Sequence, residues 1–305
     1  MTPPPAAVLR GDPRRLRRET IVRATFAGAT GLSILISLLI VGSLVGEAWN
    51  FISTVDLGSL WEIGWFPRRG FFDIKTIVVA TLLTSAIAML IATPLGLGAA
   101  IYLSEYASPR ARRVLKPILE ILAGVPSVVL GYFALTWISP NLVQRFFDTQ
   151  IFNLLAAGIG VGILVTPLVA SISEDALRSV PQDLRQASYG LGAKKSETVR
   201  QVVVPAAVSG IVASLILGVS RAVGETMVVA MAAGATGGGL FSVNPLDSGI
   251  TMTAAMASLA IGSDQVAGDD NAFQSLFFVG LLLFVMTLIL NTISERFVRR
   301  VRERY

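Results

Sequence analysis

The chain has 305 residues, of which 53% are apolar and 15% charged, with a formal net charge of +5. A soluble domain carries about 25% charged residues, so several segments must face lipid, and an ordinary globular fold is excluded. The absence of Cys and His also excludes disulfides, thiolate zinc sites, Cys nucleophiles and His general bases.

Residues 2–7 read TPPPAA and are expected to be disordered. Arg10, Arg14, Arg15, Arg17, Arg18 and Arg23 then form a basic segment, taken as 1–23. The apolar run that follows is far longer than the 7–15 residues of a signal peptide, so it reads as a retained first span. Six runs are long enough to cross a membrane: 24–50, 76–103, 118–138, 151–172, 206–233 and 273–294. A spanning helix needs roughly 20 apolar residues. In lipid each backbone group must be satisfied within its own segment, so the spans are helices. The expected fold class is an all-α membrane protein with six transmembrane helices.

Charge sets the expected orientation. With the N-terminus inside, the inner segments hold 20 of the 25 basic residues, including Arg110, Arg112, Arg113, Lys116 and a basic tail at 298–305. The outer segments hold only Arg68, Arg69, Lys75 and Arg145. This asymmetry follows the positive-inside rule and accounts for the basic charge without nucleic acid. Trp49 and Trp137 fall at outer span ends, where aromatic belts form. Trp61 and Trp65, at i, i+4 spacing beside Phe66, fit either a short interfacial helix or a loop packed on the spans. The outer run 251–262 is too short to cross and fits a re-entrant or a surface helix. Pro94, Gly96 and Gly98 lie in the second span, and Gly124, Pro126 and Gly131 in the third. Such residues kink helices and let them approach closely.

Between the fourth and fifth spans lies a polar stretch, QASYGLGAKKSETVRQVVVP, from Gln186 to Pro205. Pro181 can begin a helix, Gly190 and Gly192 can break it, and Ser196 can cap a second one. The result is a compact knob with small residues at Ala187 and Gly192. In the fifth span, GVSRAVGETM holds Arg221 and Glu225. Arg221 follows Pro205 by 16 residues, about 24 Å along a helix. A central Arg costs about 2.5–3.5 kcal/mol in lipid, so it must face protein or water. Glu225, four residues on, is placed to pair with it. A forked guanidinium suits an oxyanion, with Ser220 and Thr226 as flanking donors and Ser127, beside Pro126, as a further candidate. The competing reading is a buried Arg–Glu pair that only fixes helix packing.

The pattern Gln186-Ala187-Ser188, Gly192, Val202, Val204 and Pro205 resembles the EAA loop of ABC-transporter permeases. In that family the loop docks on a cytoplasmic ATPase. Gln186 and Ser188 depart from the usual Glu and Ala. The stretches SRAVGETM, GVPSVVLGYF and ISEDALRSVPQDLRQASYGLGA resemble the PstC-type permeases of bacterial phosphate ABC importers, over about residues 71–297. Sulfate and molybdate permeases are similar there but carry Gly-Glu-Phe in place of Gly224-Glu225-Thr226. The resemblance implies a MetI-like type I importer core with a coupling loop at 173–205. It implies Gln186, Ala187, Ser188, Gly192 and Pro205 as coupling residues, and Arg221, Glu225, Thr226, Ser220 and Ser127 as translocation residues. It also implies a homologous PstA-type permease, two ATPase subunits and an extracytoplasmic phosphate-binding protein as partners. No catalytic residue, metal or cofactor is expected in this chain, because ATP would bind the ATPases. The alternatives are a permease for sulfate or molybdate and a membrane scaffold that does not transport.

Overall fold

The computed structural model describes residues 13–234, 238–261 and 270–302. The expected disorder at 2–7, Arg10 and part of the basic tail lie outside them. The first helix, α1 (Pro13–Thr54), has 42 residues. Leu32, Ile34, Ile36 and Leu38 are all exposed, so apolar side chains point outward on several sides, as suits a helix in lipid. After it, Asp56 caps a tight turn at Leu57–Trp61. Three short antiparallel strands follow the order β2-β1-β3, with β1 at Gly64–Phe66, β2 at Phe71–Phe72 and β3 at Gly239–Leu240. Trp65 pairs with Phe72 and Gly64 with Leu240. Trp61 and Trp65 therefore do not share a helix face. Trp65 is buried in the strand and meets Phe72 edge-on, while Trp61 is exposed. Of the two readings, packing on the spans holds for Trp65.

Helix α2 (Ile74–Tyr106) leads from this sheet end to the opposite end of the molecule, here termed the elbow end. Ser108 caps α3 (Pro109–Ala123), accepting from the Ala111 amide at 3.2 Å. Then comes a correction. Residues 118–138 do not form one continuous span, because α3 meets α4 (Ser127–Phe146) at 90°. Gly124 ends α3. Pro126 lacks an N–H, and a proline disfavours helical backbone at the residue before it, here Val125. The chain therefore turns where the sequence suggested only a kink. Helix α5 (Leu154–Arg178) returns from the sheet end, capped by Asn153 through the Ala156 amide at 2.7 Å. It continues well past the expected limit near residue 172.

At the elbow end lie α6 (Gln182–Gly190) and α7 (Lys195–Ala206). A 69° bend at Ala207 then leads into α8 (Val208–Val223). A second correction applies here. The expected span 206–233 is broken, because α8 stops at Val223 and a separate short helix, α9 (Met227–Ala232), follows. The last two helices are α10 (Met252–Ile261) and α11 (Asp270–Arg302). The Thr54 hydroxyl, at the end of α1, donates to Asn271 Oδ1 at 3.0 Å. The helices α1 and α11 are thus tied at the sheet end, and the start of one and the finish of the other lie toward the elbow end. Among the described residues, four helices are long and apolar enough to cross a membrane, and up to six crossings result if each bent pair counts as one.

The centre of the molecule is the packing of α2 against α5. Ala88, Ala92, Ala157, Val161, Val165 and Val169 are all buried there. Lipid tails are as apolar as leucine, so helices in lipid associate by close fit rather than by hydrophobic exclusion. The glycines make this fit. A Cβ on Gly158 would come 2.6 Å from Ile87, one on Gly162 would come 3.0 Å from the Ala88 carbonyl, and one on Gly96 would come 2.8 Å from Val169. Gly96 thus has the packing role expected of it, whereas Gly98 faces open space. The run at 251–262 also resolves into one reading. Helix α10 buries Met252, Thr253, Ala254, Ala255 and Leu259 against the bundle. The Met252 amide donates to Thr81 Oγ1, two turns into α2, at 3.0 Å. It is packed into the bundle rather than laid on its surface.

Candidate translocation site and elbow

Arg221 lies in the last turn of α8, 13 residues beyond Val208, or about 20 Å along an apolar helix. It is exposed on the surface of the chain. Among the described residues it makes no hydrogen bond or ion pair. The expected pairing with Glu225 does not occur. The helix ends between the two residues, so i, i+4 geometry no longer holds. Glu225 instead turns inward and is 8% exposed. Its Oε1 accepts from the Met227 and Val228 amides at 3.1 and 3.3 Å and so caps α9. A carboxylate here satisfies amide donors that a helix start leaves open, and it complements the positive end of the helix dipole.

The other expected residues divide. Ser220 Oγ donates to Asn291 Oδ1 on α11 at 2.8 Å. Thr226 Oγ1 approaches the Gly224 carbonyl at 3.4 Å. Ser127 begins α4 half-buried. Helix α4 meets α9 at Gly131, where a Cβ would lie 3.0 Å from the Met227 carbonyl. Two partners were missed by sequence reasoning. One is Asn291. The other is Thr253, whose hydroxyl donates to the Glu225 carbonyl at 2.7 Å. Both come from helices distant in sequence, and neither belongs to a motif. The only legible signal for Thr253 is the pair of threonines in an otherwise apolar run.

At the elbow, α6 begins directly after Pro181, as expected. Gly192 has φ +85°, a left-handed conformation that glycine adopts without Cβ strain. The second helix is capped otherwise than expected. Lys194, not Ser196, is its N-cap residue, and the Lys194 amide donates to Glu197 Oε2 at 2.8 Å. The two helices are joined by Ser188 Oγ and Thr198 Oγ1, 2.8 Å apart. Gln186, Ala187 and Gly192 are exposed, as is Leu191, at 90%. Pro205 sits two residues before the bend at Ala207.

Two buried ionic groups brace this end of the molecule, one fastening the elbow to α2 and α5 and the other tying α3 to α5. Arg185 Nη2 donates to Glu105 Oε1 at 2.9 Å and to the Leu177 carbonyl at 2.9 Å, and Nη1 to the Val180 carbonyl. Glu174, 1% exposed on α5, is paired with Arg112 and Lys116 of α3, the latter at 3.2 Å. The sequence showed these cations only as part of the basic inner set.

The geometry is that of a multi-pass membrane bundle with an unpartnered cation on one surface and a rigid, fastened knob at one end. A family model described as "Binding-protein-dependent transport system inner membrane component" matches residues 92–303, and the chain belongs to that family. The phosphate transport system permease protein PstC of Mesorhizobium japonicum is 30% identical, over 95% of this chain and 94% of its own length. A bacterial ABC transporter involved in alginate import shares the fold with a TM-score of 0.62 at 17% identity, covering 92% of this chain and 99% of that one. The MetNI methionine ABC transporter gives 0.52 at 21% identity, covering 74% and 93%. The expected permease fold, a multi-pass helical protein of the cell membrane, is thereby borne out.

Proposed function

We propose that this chain forms half of the path of an ATP-driven phosphate importer. The elbow end faces the cytoplasm, and Arg221 stabilises the anion in transit. The observation that carries the proposal is the bare guanidinium of Arg221. A cation this deep cannot face lipid without a cost of several kcal/mol. Its surface must therefore be covered by a second subunit or border water. A homologous permease of the PstA type fits as that cover, with the path between the two. A guanidinium with free donors suits a tetrahedral oxyanion. The similarity to a PstC phosphate permease supports phosphate among the oxyanions.

In this reading two ATPase subunits engage the exposed face at Gln186, Ala187, Ser188 and Gly192. An extracytoplasmic binding protein delivers phosphate at the sheet end. Closure of the ATPases moves the elbow, the bundle rocks about the bend at Ala207, and the path changes the side to which it opens. Glu225 serves by holding α9, and through its carbonyl α10, around the site. It does not serve by neutralising Arg221.

The test is uptake into proteoliposomes that contain the assembled transporter, with phosphate and sulfate in parallel and R221Q beside the wild type. ATP-dependent phosphate uptake that R221Q abolishes is the expected result. Sulfate uptake instead would reassign the substrate. Phosphate uptake that survives R221Q would remove the role of Arg221.

A further inference from the structure

Between the ends of α2 and α5, α3 and the elbow lies a cavity of about 340 Å³. Four cations line it, Arg112, Arg178, Arg185 and Lys195, against a single carboxylate, Glu105. Arg185 spends its donors on Glu105 and on backbone carbonyls, so it forms a wall and not a binding group. Arg112 shares its charge with Glu174. The remaining two have no anionic partner. Arg178 makes no hydrogen bond or ion pair among the described residues. Lys195 Nζ sits 5.1 Å above the Tyr106 ring, an arrangement that positions an ammonium and leaves its charge unneutralised. An adjoining cavity of about 530 Å³ shares Ser104, Arg112 and Arg178 and adds Arg113, Lys116 and one carboxylate, Glu120, with Lys116 already paired to Glu174 and Asp175. Positive charge is thus concentrated in one recess, beyond what the fold needs for its own ion pairs.

From this recess we infer an anion site for a phosphate group, separate from Arg221 and held by Arg178, Lys195 and Arg112. The ligand class follows from the donors. Two guanidinium groups and an ammonium around one cavity match an ion with several equivalent oxygens better than a single carboxylate. The level also fits. Glu105 and Arg178 close the last turns of two spans, so the recess opens where lipid headgroups meet water. The phosphate group has two possible sources, an anionic phospholipid headgroup and free orthophosphate. Occupation by orthophosphate would place a sensor of the delivered ion beside the elbow, and this extension rests on the proposed phosphate import. A bound anion would link α3, α5 and α7 across the recess and resist movement of the elbow relative to the spans.

The test uses the full chain in lipid nanodiscs. Arg178 is exposed and unpaired, so R178Q removes a charge without breaking a contact, and R178Q/K195Q removes two. In one arm, phosphatidylcholine discs are titrated with orthophosphate. In the other, discs containing phosphatidylglycerol are examined by native mass spectrometry for retained lipid. We expect R178Q/K195Q to weaken the ligand about tenfold or more, in keeping with the loss of charge-assisted hydrogen bonds. R178K should restore part of that loss, and R221Q should leave this ligand in place. The arm that responds identifies the source. If neither arm responds to R178Q/K195Q while thermal melting is unchanged, the site does not exist. If the ligand is held only when an ATPase subunit is present, the recess is a protein contact and the inference fails. Loss of binding in R178Q/K195Q without any phosphate uptake by the wild type would sink the transport reading and leave the recess standing. Normal uptake with unaltered binding would do the reverse.

Discussion

At the scale of single residues, the decisive fact is that Arg221 and Glu225 part company. Their spacing suggests a helical pair, and the chain breaks the helix between them. Glu225 then works through geometry, as an acceptor for two amides and through its carbonyl as the anchor of Thr253. We expect E225A to lower the stability of the chain by about 1 kcal/mol through loss of the cap. E225Q should cost much less, since the amide oxygen can still accept. Thermal melting in detergent checks the order. If E225Q proves as damaging as E225A, the charge itself is needed and capping is not the role. The motif was legible in the sequence because Arg and Glu in an apolar run stand out by cost alone. Their actual partners were not. Thr253 and Asn291 are ordinary polar residues whose importance arises only from where α10 and α11 pack.

Among the elements, the elbow is the best-defined piece, and its shape was largely readable. Proline started α6 and a left-handed glycine turned the chain, because both residues act through backbone constraint that needs no tertiary context. The cap of α7 was misread, since Ser196 is a good N-cap residue but the Lys194–Glu197 bond moved the start two residues before that choice. The bend at Gly124–Pro126 was likewise underestimated, because a proline in a spanning run can either kink or end a helix, and its neighbours decide. At Gly192 a Cβ would meet nothing within 4 Å. G192V should therefore strain only the backbone, by about 1–2 kcal/mol, and leave the chain folded. ATPase activity of the assembled transporter should then lose its dependence on phosphate. Coupled activity identical to the wild type would show that the turn does not transmit force.

The buried Arg185–Glu105 bond is the other test at this scale. Side chains 8% and 7% exposed cannot lose one partner cheaply. R185A should destabilise the chain by about 3–5 kcal/mol by leaving a carboxylate unpaired. The double variant R185L/E105L should recover most of it, since an apolar pair of similar volume removes both desolvation costs. A double variant no better than R185A would mean that the bonds from Arg185 to the Leu177 and Val180 carbonyls matter more than the ion pair.

For the whole molecule, the four unbroken spans α1, α2, α5 and α11 were legible from apolar length, which lipid enforces directly, whereas the two bent pairs were read as single spans. The three-stranded sheet and the burial of α10 were not legible, because both depend on contacts between segments almost two hundred residues apart, such as Gly64 with Leu240. The fit of α2 on α5 is the structural centre, and its tolerance is small. A side chain at Gly162 would press on the Ala88 backbone, which cannot yield as a flexible side chain does. We expect G162L to cost at least the 1–3 kcal/mol typical of overpacking and to lower the yield of folded protein in detergent. G98L, facing open space, should be tolerated. Equal melting temperatures for the two variants would show that the α2–α5 contact is not the centre of stability.

The 69° bend at Ala207 gives the molecule the form of a bell crank. One arm is α7, about 18 Å long, and the other is α8, about 24 Å. The bearing is Gly210, so near Ala176 that a Cβ would come within 2.4 Å of that side chain. In such a crank each tip moves at right angles to its own arm. A tug on the elbow along the membrane normal emerges at the far tip as a sideways sweep, enlarged roughly 1.3-fold by the ratio of the arms. Arg221 rides on that tip. In the importer proposed above, the stroke would withdraw the cation laterally from the ion's route, and release would then require no weakening of the guanidinium itself.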